Sequence, residues 1–442
     1  MFKKSTLLLF AVVIVLSMLP LSMSVSAQNP DCEGDVTLTY WHHWGGNRIP
    51  LMEEQVAAFE DANPGICVDN VFLPWDNRLQ NLLAAIAAGN PPDVTMFGRH
   101  DLPFFAATES IIPLDDYMAA DGIDPAIFHA SEFAGTQFNG KTWMLPLPGG
   151  GAFSIAWYNT DHFAEAGIEE FPQTWDEMLD VAETLRLGDG SFLERVGVNT
   201  QSTSGPGAFL TWLNANGQDW ISADLRTITI NNEAGVQALE FMSAMAEINY
   251  GIEELNAFWE MAGEFDQGPL IQGLVSIEIN GSWTLFQVED HAETLNYDVA
   301  PIPHGPMGDP GRRGGAHGGW GYMIPKNAAH PDEAWQLVKW LTTEIDDKGA
   351  CWFIQQQQRP SPLIDCNGYE KDGVVHPRAE SLLGVAALDN LVTVSPVQPE
   401  ANQIINRMVE DVLFGDSSVE DALASAEGEI QGLLDAFWEE YG

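Results

Sequence analysis

The chain has 442 residues, a formal net charge of −46 and 45% hydrophobic residues. That length allows two substantial domains, and that charge makes nucleic acid and anionic membrane poor partners. The acidic residues are dispersed rather than gathered in a tail, the pattern of a solvated surface. Lys3 and Lys4 precede an apolar run from Leu7 to Leu21, followed by Val25-Ser26-Ala27. This predicts a secretory signal peptide over residues 1–27, cleaved after Ala27. The first cysteine, Cys32, stands away from that cleavage point, so no lipid anchor is expected. No later stretch approaches 18 uninterrupted apolar residues, so the secreted chain is expected to be soluble, in the periplasm or at the cell surface.

The first strand is Asp35 to Trp41, which runs into His42-His43-Trp44-Gly45-Gly46. A helix follows over Asn47 to Ala62, with Met52, Val56 and Phe59 on one face, and Asn63-Pro64-Gly65 stops it. Ile66 to Leu73 is a second strand, ending at Pro74-Trp75-Asp76. Asp76 is placed as the N-cap of a helix bearing Leu79, Leu82, Leu83 and Ile86. A third strand, Val94 to Phe97, ends at Gly98-Arg99-His100-Asp101. Strand and helix in alternation mean a parallel sheet with crossover helices. Each strand exit carries aromatic or charged residues.

Asn139-Gly140 is a hairpin signal. Pro146 to Gly151 is a shift in composition and a candidate crossing between domains. Beyond it come a strand over Ser154 to Tyr158, a capping box at Thr174 to Glu177, and a strand over Val196 to Thr200. A helix over Pro206 to Ala215, a short strand over Thr227 to Ile230 and a helix over Glu233 to Asn249 complete a second α/β block. In Leu274 to Leu285, apolar Val275, Ile277 and Ile279 alternate with Ser276 and Glu278, a strand broken by Asn280-Gly281. Ser282 is read as a cap with Trp283 on the first turn of the next helix. Strands over Tyr297 to Ile302 and Trp320 to Ile324, then helices over Pro331 to Thr343 and Asp346 to Gln357, lead to a helical tail capped at Ser418. Two α/β blocks without a long linker read as two lobes about a hinge. Four cysteines allow three connectivities. Cys32–Cys67 and Cys351–Cys366 are expected, the first joining neighbouring strands and the second closing a short loop.

The order of motifs resembles the extracellular solute-binding proteins of ATP-binding-cassette sugar importers, the group that includes maltose-binding protein. The pieces are Y-W-H-H-W-G, F-E-D-A-N-P-G-I, A-A-G-N-P-P-D-V, A-W-Y-N-T-D-H-F-A-E-A-G-I, P-Q-T-W-D-E-M, L-V-S-I-E-I-N-G-S-W, G-G-W-G-Y-M-I-P-K and H-P-D-E-A-W-Q-L-V-K-W-L-T-T-E, which span the mature chain. The resemblance implies a two-lobed α/β fold of the periplasmic-binding-protein type (type II), with the ligand cleft between lobes joined by hinge crossings. Crossings near Leu145–Gly151, Ile279–Trp283 and His317–Gly321 would give an N-terminal lobe of 28–147 plus 281–317. The C-terminal lobe would then be 148–280 plus 318–442. The implied function is capture of a sugar, an oligosaccharide by preference, and delivery to a membrane permease by a monomer.

Sugars present hydroxyls and C–H faces, so aromatic rings and Asp, Arg, Asn or His are the contacts to look for. Trp283 matches the family's stacking tryptophan in its N-G-x-W motif. Gly319 and Trp320 follow the third crossing, and Trp41, His42, Trp44, Trp75, Asp76, Arg99 and Asp101 leave the first three strands. Phe209, Trp212, Trp220 and Arg359 are second-lobe or loop candidates. Val397 to Asn402 carries no aromatic where maltose-type members place one, which counts against maltodextrin. Other cargoes for the same fold are a polyamine, a peptide or a glycerol-phosphate ester. A secreted glycoside hydrolase is the enzyme alternative, but no G-x-S-x-G, H-E-x-x-H or Walker motif is present, and neither cofactor nor metal is expected.

Overall fold

A computed structural model describes residues 25–28, 32–147, 154–190, 192–200, 207–262, 268–289, 295–311, 319–388 and 394–442. The apolar run of the expected signal peptide lies outside them. The sheet strands in chain order are β1 (Val25–Gln28), β2 (Val36–His42), β3 (Ile66–Phe72), β4 (Val94–Gly98), β5 (Leu145–Pro146) and β6 (Ser154–Asn159). They continue as β7 (Leu187–Gly188), β8 (Leu193–Asn199), β9 (Val275–Gly281), β10 (Tyr297–Ala300) and β11 (Trp320–Met323). Two large sheets result, ordered β1-β3-β2-β4-β11-β5 and β10-β6-β9-β8-β7.

In the first sheet β2 lies parallel to both β3 and β4, while β11 is antiparallel to β4. Leu38 and Tyr40 of β2 turn inward, as a period of two requires. Helix Arg48–Ala62 buries Met52, Val56 and Phe59 in the same core. Trp335, Leu337 and Leu341 of helix Pro331–Thr343 and Phe353 of helix Ala350–Gln357 complete it. In the second sheet Ile277 and Ile279 of β9 pack with Trp175, Trp212, Ile404 and Leu423. Trp157 and Ile155, paired across from Glu278 and Asn280, pack on the other face with Leu285, Val288 and Leu382. Both faces are covered, so β9 is buried along most of its length.

These cores correct the expected division of the chain. Residues 281–317 are assigned to the first lobe by sequence, yet β10 pairs with β6, and Leu285 and Val288 pack in the second lobe. Residues 318–442 are assigned to the second, yet β11 pairs with β4 and the helices over 331–357 complete the first core. Only the last part of that segment follows the expectation, with Ile404, Leu423 and Ile430 in the second core. The reason is long-range pairing: the apolar face of the helix Pro331–Thr343 fits the first sheet, and no local pattern says which sheet a helix covers. The crossing near Ile279–Trp283 is therefore not one. The chain passes between sheets from Leu147 to Ser154 and from Ala300 to Trp320.

Local signals fare better. Asn139 and Gly140 have φ of 49° and 73°, the backbone of a type I′ hairpin. Thr174 and Glu177 form the reciprocal capping box, and Ser418 caps the last helix, Val419–Tyr441. Both expected disulfides form, with Cα atoms 5.8 Å apart for Cys32–Cys67 and 5.7 Å for Cys351–Cys366. Three readings are corrected. Asn77, in the left-handed region, rather than Asp76, precedes helix Arg78–Ala87. Trp283 precedes helix Thr284–Glu289 instead of lying on its first turn. Thr227 to Ile230 makes a single bridge, Ile221 to Ile228, and no strand.

Candidate functional site

The parallel strands β2, β3 and β4 end at His42, Phe72 and Gly98, so their exits share one end of the first sheet. Such carboxyl ends are where open α/β sheets hold ligands. Trp44 leaves β2 and Trp75 leaves β3. Antiparallel β11 starts with Trp320 opposite Gly98, which returns a third indole to the same place. The Trp320 ring lies 5.0 Å from Trp75 and 5.8 Å from Trp44, centroid to centroid. Trp75 is 45% exposed, so part of its indole is open to solvent. The Arg78 guanidinium covers its ring at 3.7 Å and stands 3.7 Å from the Asp101 carboxylate. His100 Nε2 is 3.4 Å from the same carboxylate.

Arg99 holds this end together. Its Nε donates to the Trp320 carbonyl at 2.9 Å, and its other nitrogens reach Glu132 at 2.6 and 3.0 Å. Its backbone N–H donates to the Gly319 carbonyl at 2.9 Å. Gly319 has φ of 76°, where a side chain would strain the backbone. Arg99 is thus engaged in fixing Gly319 and Trp320. Gly98 is needed for a different reason: a Cβ there would sit 2.1 Å from the His100 ring.

His42 and His43 lie beneath the indoles. His42 packs between Tyr40 and Phe72, and His43 stands edge-on to Phe97 with Nδ1 3.2 Å from the Leu73 carbonyl. Burial pushes both imidazoles down to about 4, so both are neutral near pH 7. Trp41, the neighbour of His42, turns to the opposite face and packs in the cluster of Leu82, Phe97 and Phe105.

Trp44 stacks on Phe353 at 6.3 Å. The guanidiniums of Arg48 and Arg359 lie 5.3 Å and 5.1 Å from its ring. Arg48 is also 5.1 Å from the ring of Phe286 on helix Thr284–Glu289, which packs with the second sheet. One first-lobe arginine therefore spans the gap between lobes. Residues 45–348 match the family of bacterial extracellular solute-binding proteins. The chain belongs to this family.

Among its relatives, a binding protein of Brucella abortus (strain 2308) is 28% identical over 327 residues, 74% of this chain and 75% of the relative. The arabinooligosaccharide-binding protein of Bacillus subtilis (strain 168) is 21% identical over 353 residues, 78% of each chain. An ABC substrate-binding protein of Listeria monocytogenes, solved in complex with cycloalternan, superposes with a TM-score of 0.76 at 18% identity. That alignment covers 90% of this chain and 99% of the other. The fold is the two-lobed binding-protein fold.

On the second-lobe side, Trp283 is half-buried beside Gly281, where a Cβ would lie 2.0 Å from the indole. Close approach of that ring is what requires glycine in N-G-S-W. Phe209, Trp212 and Trp220 are corrected as candidates: they are 0%, 0% and 5% exposed and belong to the second-lobe core. Helix Gly207–Ala215 is apolar nearly all round, the mark of a buried helix rather than a ligand platform. Arg359 is likewise 1% exposed, beneath Trp44 rather than at the surface of a loop. Asp76 is exposed on the rim. Arg78 and Phe286 were not singled out by sequence. Each stands three residues after a candidate tryptophan, and that spacing was the available signal.

Proposed function

We propose that this solute-binding protein captures an oligosaccharide in the cleft between its lobes and delivers it to the membrane permease of an ABC importer. The observation that carries the reading is the meeting of Trp44, Trp75 and Trp320, from three separate segments, at the strand ends of the first lobe. Flat indoles beside the Asp101, His100 and Arg78 cluster suit a ligand with C–H faces ringed by hydroxyls. Relatives named for arabinooligosaccharides and solved with cycloalternan support a sugar cargo. Trp283 and Phe286 form the opposing wall, and hinge closure brings them onto the ligand. The protein acts as a secreted monomer, freed of its apolar N-terminal segment, and releases its sugar chemically unchanged. Its lobes present the surfaces that the permease reads.

Thermal unfolding against a panel of oligosaccharides tests this, because a ligand that binds only the folded state raises the melting temperature. We expect a rise with an oligosaccharide, recovery of that sugar intact, and a weaker rise in Trp75→Ala. A panel in which only spermidine or a peptide shifts the transition, or a sugar recovered hydrolysed, would overturn the reading.

A further inference from the structure

The chain has 18 Lys+Arg against 64 Asp+Glu, so a cation in it is expected to find a carboxylate. At the cleft this holds for Arg99, paired with Glu132 at 2.6 Å, and for Arg78, beside Asp101. It fails for the two arginines that flank Trp44. Neither Arg48 nor Arg359 makes an ion pair among the described residues. The Arg48 Nε donates to the Gln357 side chain at 3.1 Å, a neutral partner. The Arg359 Nε is buried without any hydrogen-bond partner. Glu132, the carboxylate whose field reaches Arg359, is already held by Arg99.

Leaving the buried Arg359 guanidinium unpaired is costly, and half-buried Arg48 shares its ring. Burial pulls Arg48 down to about 10, and burial together with the Arg48 charge pulls Arg359 down to about 9. Both stay charged at neutral pH and repel one another. Helix Arg48–Ala62 begins at Arg48, so the positive end of its dipole points to the same place, and its first turn carries no acidic residue. In so acidic a chain, this is a pocket of unsatisfied positive charge. Aromatic rings lower its energy but do not neutralise it. Long-range repulsion from the rest of the protein is screened within about 8–10 Å in physiological salt, so the local pair dominates once an anion reaches the cleft.

We propose that the bound saccharide is anionic, with its acidic group held by Arg48 beside Trp44 and Phe286, and with the buried charge of Arg359 behind Trp44 adding to the attraction. The group is a uronate carboxylate or a sulfate or phosphate ester, all of which suit the forked donors of arginine. This rests on the sugar reading above and narrows it.

Isothermal titration of the full-length mature protein with four probes tests the proposal: trigalacturonic acid, a sulfated chondroitin disaccharide, mannose 6-phosphate and neutral mannotriose. At least one acidic probe is expected to bind roughly tenfold or more tighter than mannotriose, the worth of one charge-assisted hydrogen bond. Which one does so identifies the acidic group. Raising the salt should weaken that probe and leave mannotriose unchanged. Arg48→Gln should remove the preference, and Arg359→Gln should reduce it. Arg359→Gln should also raise the melting temperature of the free protein, because an unpaired buried charge is gone. If Arg359→Gln does not fold, half-exposed Arg48→Gln carries the same test. Mannotriose binding as tightly as every acidic probe, or Arg48→Gln keeping the preference, would overturn the anionic ligand and leave the sugar reading standing. Binding of no saccharide at all would overturn both.

Discussion

Two tryptophan clusters, one in each lobe, look alike in sequence and differ in kind. In the second lobe Trp175 stacks on Phe241 at 4.5 Å, Trp212 lies 4.8 Å from Phe241, and both indoles are almost wholly out of water. In the first lobe Trp44, Trp75 and Trp320 meet at similar distances, but Trp75 stays open and cations stand over the rings. The difference is place. The second cluster lies between a sheet and its covering helices, where apolar area is removed from water on every side. The first lies beyond strand ends, where the sheet has stopped and Trp75 stays 45% exposed. A ring in the second cluster stabilises the fold; a ring in the first can take a ligand.

The sharpest test of that contrast is Trp212→Ala. It empties a fully packed site and should cost about 4 kcal/mol, read from urea unfolding, with little effect on ligand affinity beyond the loss of folded protein. A cost below about 1 kcal/mol would mean that the second cluster is not core.

The next effect concerns the layer beneath the first cluster. His43 is neutral in the folded state because burial lowers its pKa to about 4, whereas the unfolded chain takes up the proton below about 6.5. Its contribution is therefore full above pH 6.5 and is lost as the pH falls toward 4. His43→Gln should shrink the loss of unfolding free energy between pH 7.5 and 4.5 by about 2.5 kcal/mol. An acid limb as steep in the variant as in the parent would show that carboxylates alone set it.

Trp75→Ala should do the reverse of Trp212→Ala. Stability should move by about 0.5 kcal/mol or less, since the ring is half open. Binding of the cognate oligosaccharide should weaken by about 2 kcal/mol, roughly thirtyfold in Kd by titration calorimetry. Equal losses in stability and binding would erase the distinction between the clusters. The smallest change is Thr174→Ala, which removes the cap preceding Trp175. About 1 kcal/mol of stability should go, with ligand affinity kept.

Much of the site was legible, for a physical reason. Trp44 and Trp75 stand just past predicted strands, and a strand end is a local event. Trp320 could be named as a candidate, but that it meets Trp75 depends on β11 pairing with β4, which no local pattern encodes. Arg99 was read as a ligand contact because it is charged and follows a strand; the structure gives it to Glu132 and the Trp320 carbonyl instead. Phe209 and Trp212 are second-lobe candidates by sequence, yet they face inward.

The sequence by itself determined the α/β alternation, the Asn139-Gly140 turn, the caps at Thr174 and Ser418, both disulfides and the family. Each rests on backbone preferences or hydrogen bonds among residues close in the chain, or on loop closures that a short list of cysteines allows. Only the tertiary structure decided that residues 320–357 complete the first lobe, that β10 belongs to the second, and that Arg48 and Arg359 converge on one indole. Those are choices among surfaces of equal apolar character, and they are settled by which distant faces fit and which charges are left unpaired when they do.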